Sequence, residues 1–168
     1  LLFFLYSYWI NFSAKIRNIS KSRNVPARFY PKFAKTELVT HRAMKRIIST
    51  SAAPAAVGPY SQGVEASGAT LYVSGQLPID PADGTMPDTV EQQTEQALRN
   101  VEAILREAGY SLSDVVKSVV LLADMNDFAA MNAIYARFYA KDMPARVCYE
   151  VGRLPMGARV EIETIAVK

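Results

Sequence analysis

Arg146 stands in the alternating stretch Met143-Pro144-Ala145-Arg146-Val147-Cys148-Tyr149-Glu150. An extended backbone there sends Arg146, Cys148 and Glu150 one way and Val147, Tyr149 and Val151 the other. After Gly152 to Gly157 a second stretch alternates, with Glu161 and Glu163 on one face and Val160 and Ile162 opposite. The pattern predicts two strands joined by a tight loop, bringing a guanidinium, a thiol and a carboxylate toward one another. An arginine on an otherwise apolar sheet is suited to anions, because its planar fork meets a carboxylate in two parallel hydrogen bonds. The competing use of Arg146 is an ion pair with an acid such as Glu150. Cys148 has no histidine at hand to activate it, since the single histidine is His41. A nucleophilic thiolate is therefore not expected, and packing as a small apolar side chain is its alternative.

Charge divides the chain of 168 residues in two. Residues 1–46 hold ten Lys/Arg against the single acid Glu37, a net +9, whereas residues 47–168 hold nine against fifteen, a net −6. The basic character thus belongs to the first segment, and the acidic remainder argues against a nucleic-acid face. Residues 1–43 read as a basic leader that is expected to be disordered. They are either a mitochondrial presequence or upstream sequence outside the working protein, and the compartment, mitochondrion or cytoplasm, follows from that choice. The lone cysteine excludes an internal disulfide. Residues 44–168 contain no histidine, so imidazole base catalysis and a His/Cys zinc site are not expected there. Dinucleotide-binding, phosphate-loop and nucleophile-elbow signatures are missing as well.

Several elements must hold these residues in place. Lys45 to Ser49 reads as a short strand. Ser61 to Ala66 and Thr70 to Gln76 read as strands of a hairpin about Gly68. A helix follows Asp88, taken as N-cap with Glu91 completing a capping box. Val90, Ala97, Val101, Ile104, Leu105 and Ala108 form its apolar side, Glu95–Arg99 and Glu102–Arg106 pair on its wet side, and Gly109 ends it. Val115 to Leu122 is a β-branched strand. Asp127 is expected to cap a second helix that buries Phe128, Met131, Ile134, Tyr135 and Phe138; Arg146 to Val151 and Arg159 to Val167 are the last strands. The order β-β-β-α-β-α-β-β makes an α+β domain with two helices on one face of a mixed sheet of about six strands. The other face needs a cover, and copies of the same chain would supply it.

Gly58-Pro59-Tyr60-Ser61-Gln62-Gly63, Val73-Ser74-Gly75-Gln76-Leu77-Pro78, Asp127-Phe128 with Asn132, Pro144-Ala145-Arg146 and Glu161-Ile162-Glu163-Thr164-Ile165-Ala166 resemble, in order and spacing, the Rid (YjgF) family of reactive intermediate deaminases. The resemblance runs from Met44 to Lys168. It implies a chorismate-mutase-like fold, a homotrimer with clefts between subunits, and hydrolysis of 2-imino acids and their enamine tautomers to 2-oxo acids and ammonia. The imines are those released by pyridoxal-phosphate enzymes. The arginine at position 146 marks the RidA-like subgroup with this activity. Between Tyr139 and Pro144 the chain has four residues, fewer than the bacterial pattern; the motif stays intact, and the departure falls where the family's cleft rim would lie.

The resemblance assigns roles that elementary chemistry accommodates. A 2-imino acid carries a carboxylate beside an electrophilic carbon, so positioning and modest acid–base help suffice, with neither metal nor cofactor. Arg146 would clamp the carboxylate. Glu161 would orient the attacking water, with Glu163, its neighbour on the same face, the rival for that role. Cys148 would line the site and help place the water through its backbone carbonyl. Tyr60, Ser74, Gly75 and Asn132 would line the cleft. Two other readings are an RNA-cleaving translation inhibitor, a role ascribed to some relatives, and a non-catalytic trimeric binder of small carboxylates.

Overall fold

A computed structural model of the chain describes residues 44–168; the basic leader, with its presequence reading, lies outside the described residues. The elements are β1 (Met44–Ile48), β2 (Gly63–Ser67), β3 (Thr70–Gln76), α1 (Val90–Glu107), β4 (Val115–Leu122), α2 (Phe128–Phe138), β5 (Ala145–Glu150) and β6 (Val160–Val167). Six strands and two helices occur in the expected order. The strands form a two-stranded antiparallel ribbon, β1-β2, and a four-stranded mixed sheet in the order β3-β6-β4-β5, with β4 and β5 parallel. Residues Ser61 and Ala145 bridge the ribbon to the sheet.

Two pairings differ from expectation. The strands about Gly68 do not pair with each other: β2 pairs with β1, and β3 with β6. Gly68 lies at φ +145°, so the chain turns there but moves from ribbon to sheet instead of folding back. Nor do β5 and β6 touch, because β4 lies between them. The loop joining them passes the end of β4, where Leu122 O accepts from Val151 N and Ala123 N donates to Arg159 O, both at 2.9 Å.

Both helices cover one face of the four-stranded sheet. Helix α1 starts one residue later than expected: Thr89, not Asp88, is the N-cap, its hydroxyl accepting from Gln92 N at 3.3 Å. Gly109 ends it at φ +79°, a left-handed conformation that suits glycine. Val90, Ala97, Leu98, Val101 and Leu105 are buried, while Ile104 and Ala108 are exposed, because the helix packs on a narrower stripe than its apolar pattern. The Glu95–Arg99 and Glu102–Arg106 pairs form on the wet side. Helix α2 buries Met131, Ile134 and Tyr135 and keeps Phe128 and Phe138 partly covered. Asp127 precedes it without capping it; its carboxylate instead takes Arg159 in a two-pronged bond, Nε to Oδ2 at 2.9 Å and Nη2 to Oδ1 at 2.5 Å. The core is the seam between these helices and Val73, Val115, Val120, Leu122, Val160, Ile162 and Ala166 of the sheet.

Candidate active site

Cross-strand register assigns each chemical residue to a face. Arg146 lies opposite Ser118, and Ser118 opposite Thr164; Cys148, Val120 and Ile162 form the next row. Ser118, Thr164, Val120 and Ile162 are buried under the helices, so Arg146 and Cys148 belong to the helix side. Glu163 pairs with Val119 and Glu161 with Leu121, one residue out of phase, which puts both glutamates on the open side. Arg146 and Glu161 are therefore not brought together within one chain. Two half-sites result.

The first half-site is built around the guanidinium. Its Cζ lies 4.7 Å from the centroid of the Tyr135 ring, 5.6 Å from that of Tyr60 and 5.9 Å from that of Phe128. A Cβ on Gly58 would stand 3.4 Å from Arg146 Nη2 and 3.7 Å from Asn132 Nδ2, so Gly58, Arg146 and Asn132 converge. Arg146 Nη1 and Asn132 Oδ1 are both buried and carry no hydrogen bond. Among the described residues Arg146 has no carboxylate within ion-pair distance, unlike Arg46, Arg99, Arg106 and Arg159. The alternative partner, Glu150, is engaged elsewhere: its Oε2 accepts from Met125 N at 2.8 Å. Burial draws the Arg146 pKa down, with Tyr135, Cys148 and Tyr60 opposing. Burial also pushes the Cys148 thiol up, against the pull of Arg146, so Cys148 stays a neutral thiol packed on the core.

Local contacts explain why Tyr60 reaches Arg146. Ser61 N donates to Pro144 O at 3.0 Å and Ser61 Oγ to Met143 O at 2.5 Å, clasping the residue after Tyr60 to the segment that enters β5. Lys45 Nζ donates to Asp142 O at 2.7 Å, as well as to Ser113 O and Val115 O. These bonds tie down the short 140–143 loop, where Asp142 sits at φ +46°. Gln62 holds the preceding loop: its Oε1 accepts from Thr50 N at 2.6 Å and its Nε2 donates to Pro54 O at 2.7 Å. Tyr60 Oη accepts from Val57 N at 3.3 Å.

The second half-site is a bulge. Val73 pairs with Thr164 and Gln76 with Ile162, so β3 carries one extra residue at Ser74-Gly75. A Cβ on Gly75 would fall 2.0 Å from Glu161 Oε1, which leaves glycine as the residue that lets the Glu161 side chain lie against the strand. Ser74 is exposed and Glu161 half-buried. Beyond Gly75 a groove of about 430 Å³ runs between the end of β3 and α1, lined by Leu77, Ile79, Pro81 and Ile104 among others.

Of the seven residues singled out in the sequence, Arg146, Tyr60 and Asn132 meet in the first half-site, with Cys148 one row along the same face. Ser74, Gly75 and Glu161 meet in the second. Gly58, Phe128 and Tyr135 were not foreseen as neighbours of Arg146. A signal existed for Tyr135, which follows Asn132 by three residues and so shares its helix face. No cluster of three or more His, Cys, Asp or Glu residues with metal-binding geometry occurs among the described residues.

A mixed four-stranded sheet and a two-stranded ribbon with two helices define an α+β domain of the YjgF type. The family model described as Endoribonuclease L-PSP matches residues 50–168, and the chain belongs to that family, the YjgF or Rid family. A Capra hircus protein named 2-iminobutanoate/2-iminopropanoate deaminase is 52% identical over 126 residues, 74% of this chain and 91% of that protein. A protein of the same name from Salmonella typhimurium is 46% identical over 128 residues, 74% of this chain and 99% of that protein. Among solved structures, E. coli TdcF with bound serine superposes with a TM-score of 0.58 at 43% identity, covering 73% of this chain and 98% of that one.

Proposed function

We propose that the chain is a cofactor-independent hydrolase that converts 2-iminobutanoate, 2-iminopropanoate and their enamine tautomers to 2-oxo acids and ammonia. The observation that carries this reading is the bare pair at Arg146: a buried guanidinium nitrogen with a proton to give beside a buried amide oxygen able to accept one. A 2-imino acid offers the complement, a carboxylate for Arg146 and, on the adjacent carbon, an N–H for Asn132 Oδ1. Holding the imine protonated keeps its carbon electrophilic. Glu161 orients the water and receives its proton as the C–O bond forms. Glu161 then returns that proton to the amine nitrogen, and the carbinolamine collapses: the C–N bond breaks to release ammonia, the carbonyl forms, and the hydroxyl proton passes to Glu161 and on to the released ammonia.

Because Arg146 and Glu161 lie on opposite sides of one sheet, the two half-sites meet only between copies. We take the assembly to be the homotrimer that the family resemblance implies, with the Arg146 side of one subunit facing the Ser74-Gly75-Glu161 side of the next. The open face supports an assembly of this kind, since Tyr72 is 75% exposed, Tyr149 47% and Val147 39%. Residues 44–168 carry eleven Lys/Arg and fifteen Asp/Glu, a net −4, which does not favour an RNA substrate. The test is to generate 2-iminobutanoate in situ with an amino-acid oxidase and follow 2-oxobutanoate and ammonia. Release faster than spontaneous hydrolysis is expected, and an unaltered rate rejects the proposal.

A further inference from the structure

Six buried polar side-chain atoms among the described residues lack a hydrogen-bond partner: Ser118 Oγ, Asn132 Oδ1, Tyr135 Oη, Tyr139 Oη, Arg146 Nη1 and Thr164 Oγ1. They belong to one neighbourhood. Arg146, Ser118 and Thr164 are successive cross-strand partners. Tyr135 stacks under Arg146 at 4.7 Å and against Tyr139 at 4.6 Å between centroids, and Asn132 is one turn earlier on the same helix. Two of these atoms, on Arg146 and Asn132, are accounted for by substrate. The four hydroxyls behind them are not.

We propose that Tyr135 is a positioning residue for Arg146, its ring setting the plane of the guanidinium while the neighbouring Tyr139 ring holds it in place. The physical reason lies in what an aromatic platform leaves free. A carboxylate beside Arg146 would occupy the N–H groups that substrate needs; a ring attracts the cation through its face and leaves the in-plane donors open. Tyr135 is fully buried, and burial drives its phenol up to about 12, the nearby Ser118 hydroxyl and Arg146 charge pulling the other way. It therefore remains neutral at physiological pH and never becomes a competing anion. The Tyr139 phenol is raised further, again by burial, with Thr164 opposing.

The inference rests on the reading of Arg146 as the carboxylate clamp, and the experiment separates the two. Tyr135→Leu and Tyr135→Phe are compared in the full chain by steady-state kinetics, by calorimetric binding of 2-oxobutanoate, and by the ¹H–¹⁵N resonances of the Arg146 side chain. Tyr135→Leu is expected to raise KM and the 2-oxobutanoate Kd about tenfold while kcat changes by less than about threefold. Tyr135→Phe, which keeps the ring, is expected to recover most of that loss. In the unsubstituted protein the Arg146 side-chain protons should be shifted upfield by the ring current, a signature that no variant needs to fold to reveal. Equal damage from Leu and Phe, an unchanged KM in Tyr135→Leu, or the lack of an upfield shift overturns the proposal. If Arg146→Ala still binds 2-oxobutanoate normally, the clamp reading fails instead, whatever Tyr135 does.

Discussion

The two sides of the four-stranded sheet solve opposite problems. On the helix side Arg146 is half-buried among rings, without a carboxylate partner among the described residues and with its buried Nη1 bare. On the open side Glu161 rests against a glycine bulge in a strand at the edge of the sheet. The first environment is expensive, since burying an unpaired charge costs several kcal/mol unless something compensates, and here face-on aromatic contacts do so. The second is cheap, because a half-exposed carboxylate keeps much of its hydration. The difference teaches that, on the proposed reading, the binding group is pre-built into the fold, whereas the water-handling group would need a neighbouring copy to complete its surroundings.

The sharpest way to break that comparison is to remove the expensive side. Arg146→Ala should lower kcat/KM about ten- to a hundredfold, the loss of a charge-assisted bidentate bond worth roughly 1.5–3 kcal/mol. Arg146→Lys should be nearly as poor, because one ammonium cannot reproduce the fork. Both variants should keep the wild-type circular dichroism spectrum. A mixture of Arg146→Ala and Glu161→Ala chains, refolded together, then sharpens the division. If each site takes Arg146 from one copy and Glu161 from the next, random mixing restores about one quarter of the sites, whereas sites confined to single chains restore none.

Gly75→Ala acts on the cheaper side. The added Cβ would fall on the end of the Glu161 side chain, which can swing away, so folding should change little while the carboxylate leaves its place. A fall in kcat of about tenfold with a Tm within a few degrees of wild type is expected. Arg159→Met tests the fork to Asp127 that joins the start of β6 to the start of α2. With the Arg159 side chain 45% exposed, screening limits the loss to about 1 kcal/mol, read as a Tm drop of roughly 3–5 °C.

The smallest effect is expected at Cys148. Its thiol pKa is raised in the folded protein by burial. As pH climbs, the unfolded chain therefore loses its thiol proton first. The stability this group contributes is whole below about pH 8.5 and drains away as pH rises past it. Cys148→Ala should flatten that alkaline decline in denaturant titrations, and the wild-type thiol should react slowly with iodoacetamide at pH 7.

Much of the fold could be read locally. The period of Val90 to Leu105, the β-branched run Val115 to Leu122 and the alternation around Arg146 each state an element type within a short window. The helix start at Thr89 was missed by one residue because Asp88 and Thr89 are both good caps, and which one closes the turn depends on where the incoming loop lands. Strand pairing is less legible in the sequence. Gly68 between two strands resembles a hairpin, yet β3 gains more from lying beside β6 over the core than from folding back on β2. The closeness in sequence of Arg146 and Glu161 suggested closeness in space until β4 came between them.

By itself, then, the chain's order of residues determined which groups bear chemistry and which elements carry them, because side-chain type and the helix and strand periods are properties of short segments. Only the tertiary structure decided which groups meet. Strand order and register are settled by distant segments competing to cover one core, and a shift of a single residue moves a carboxylate from one face of the sheet to the other.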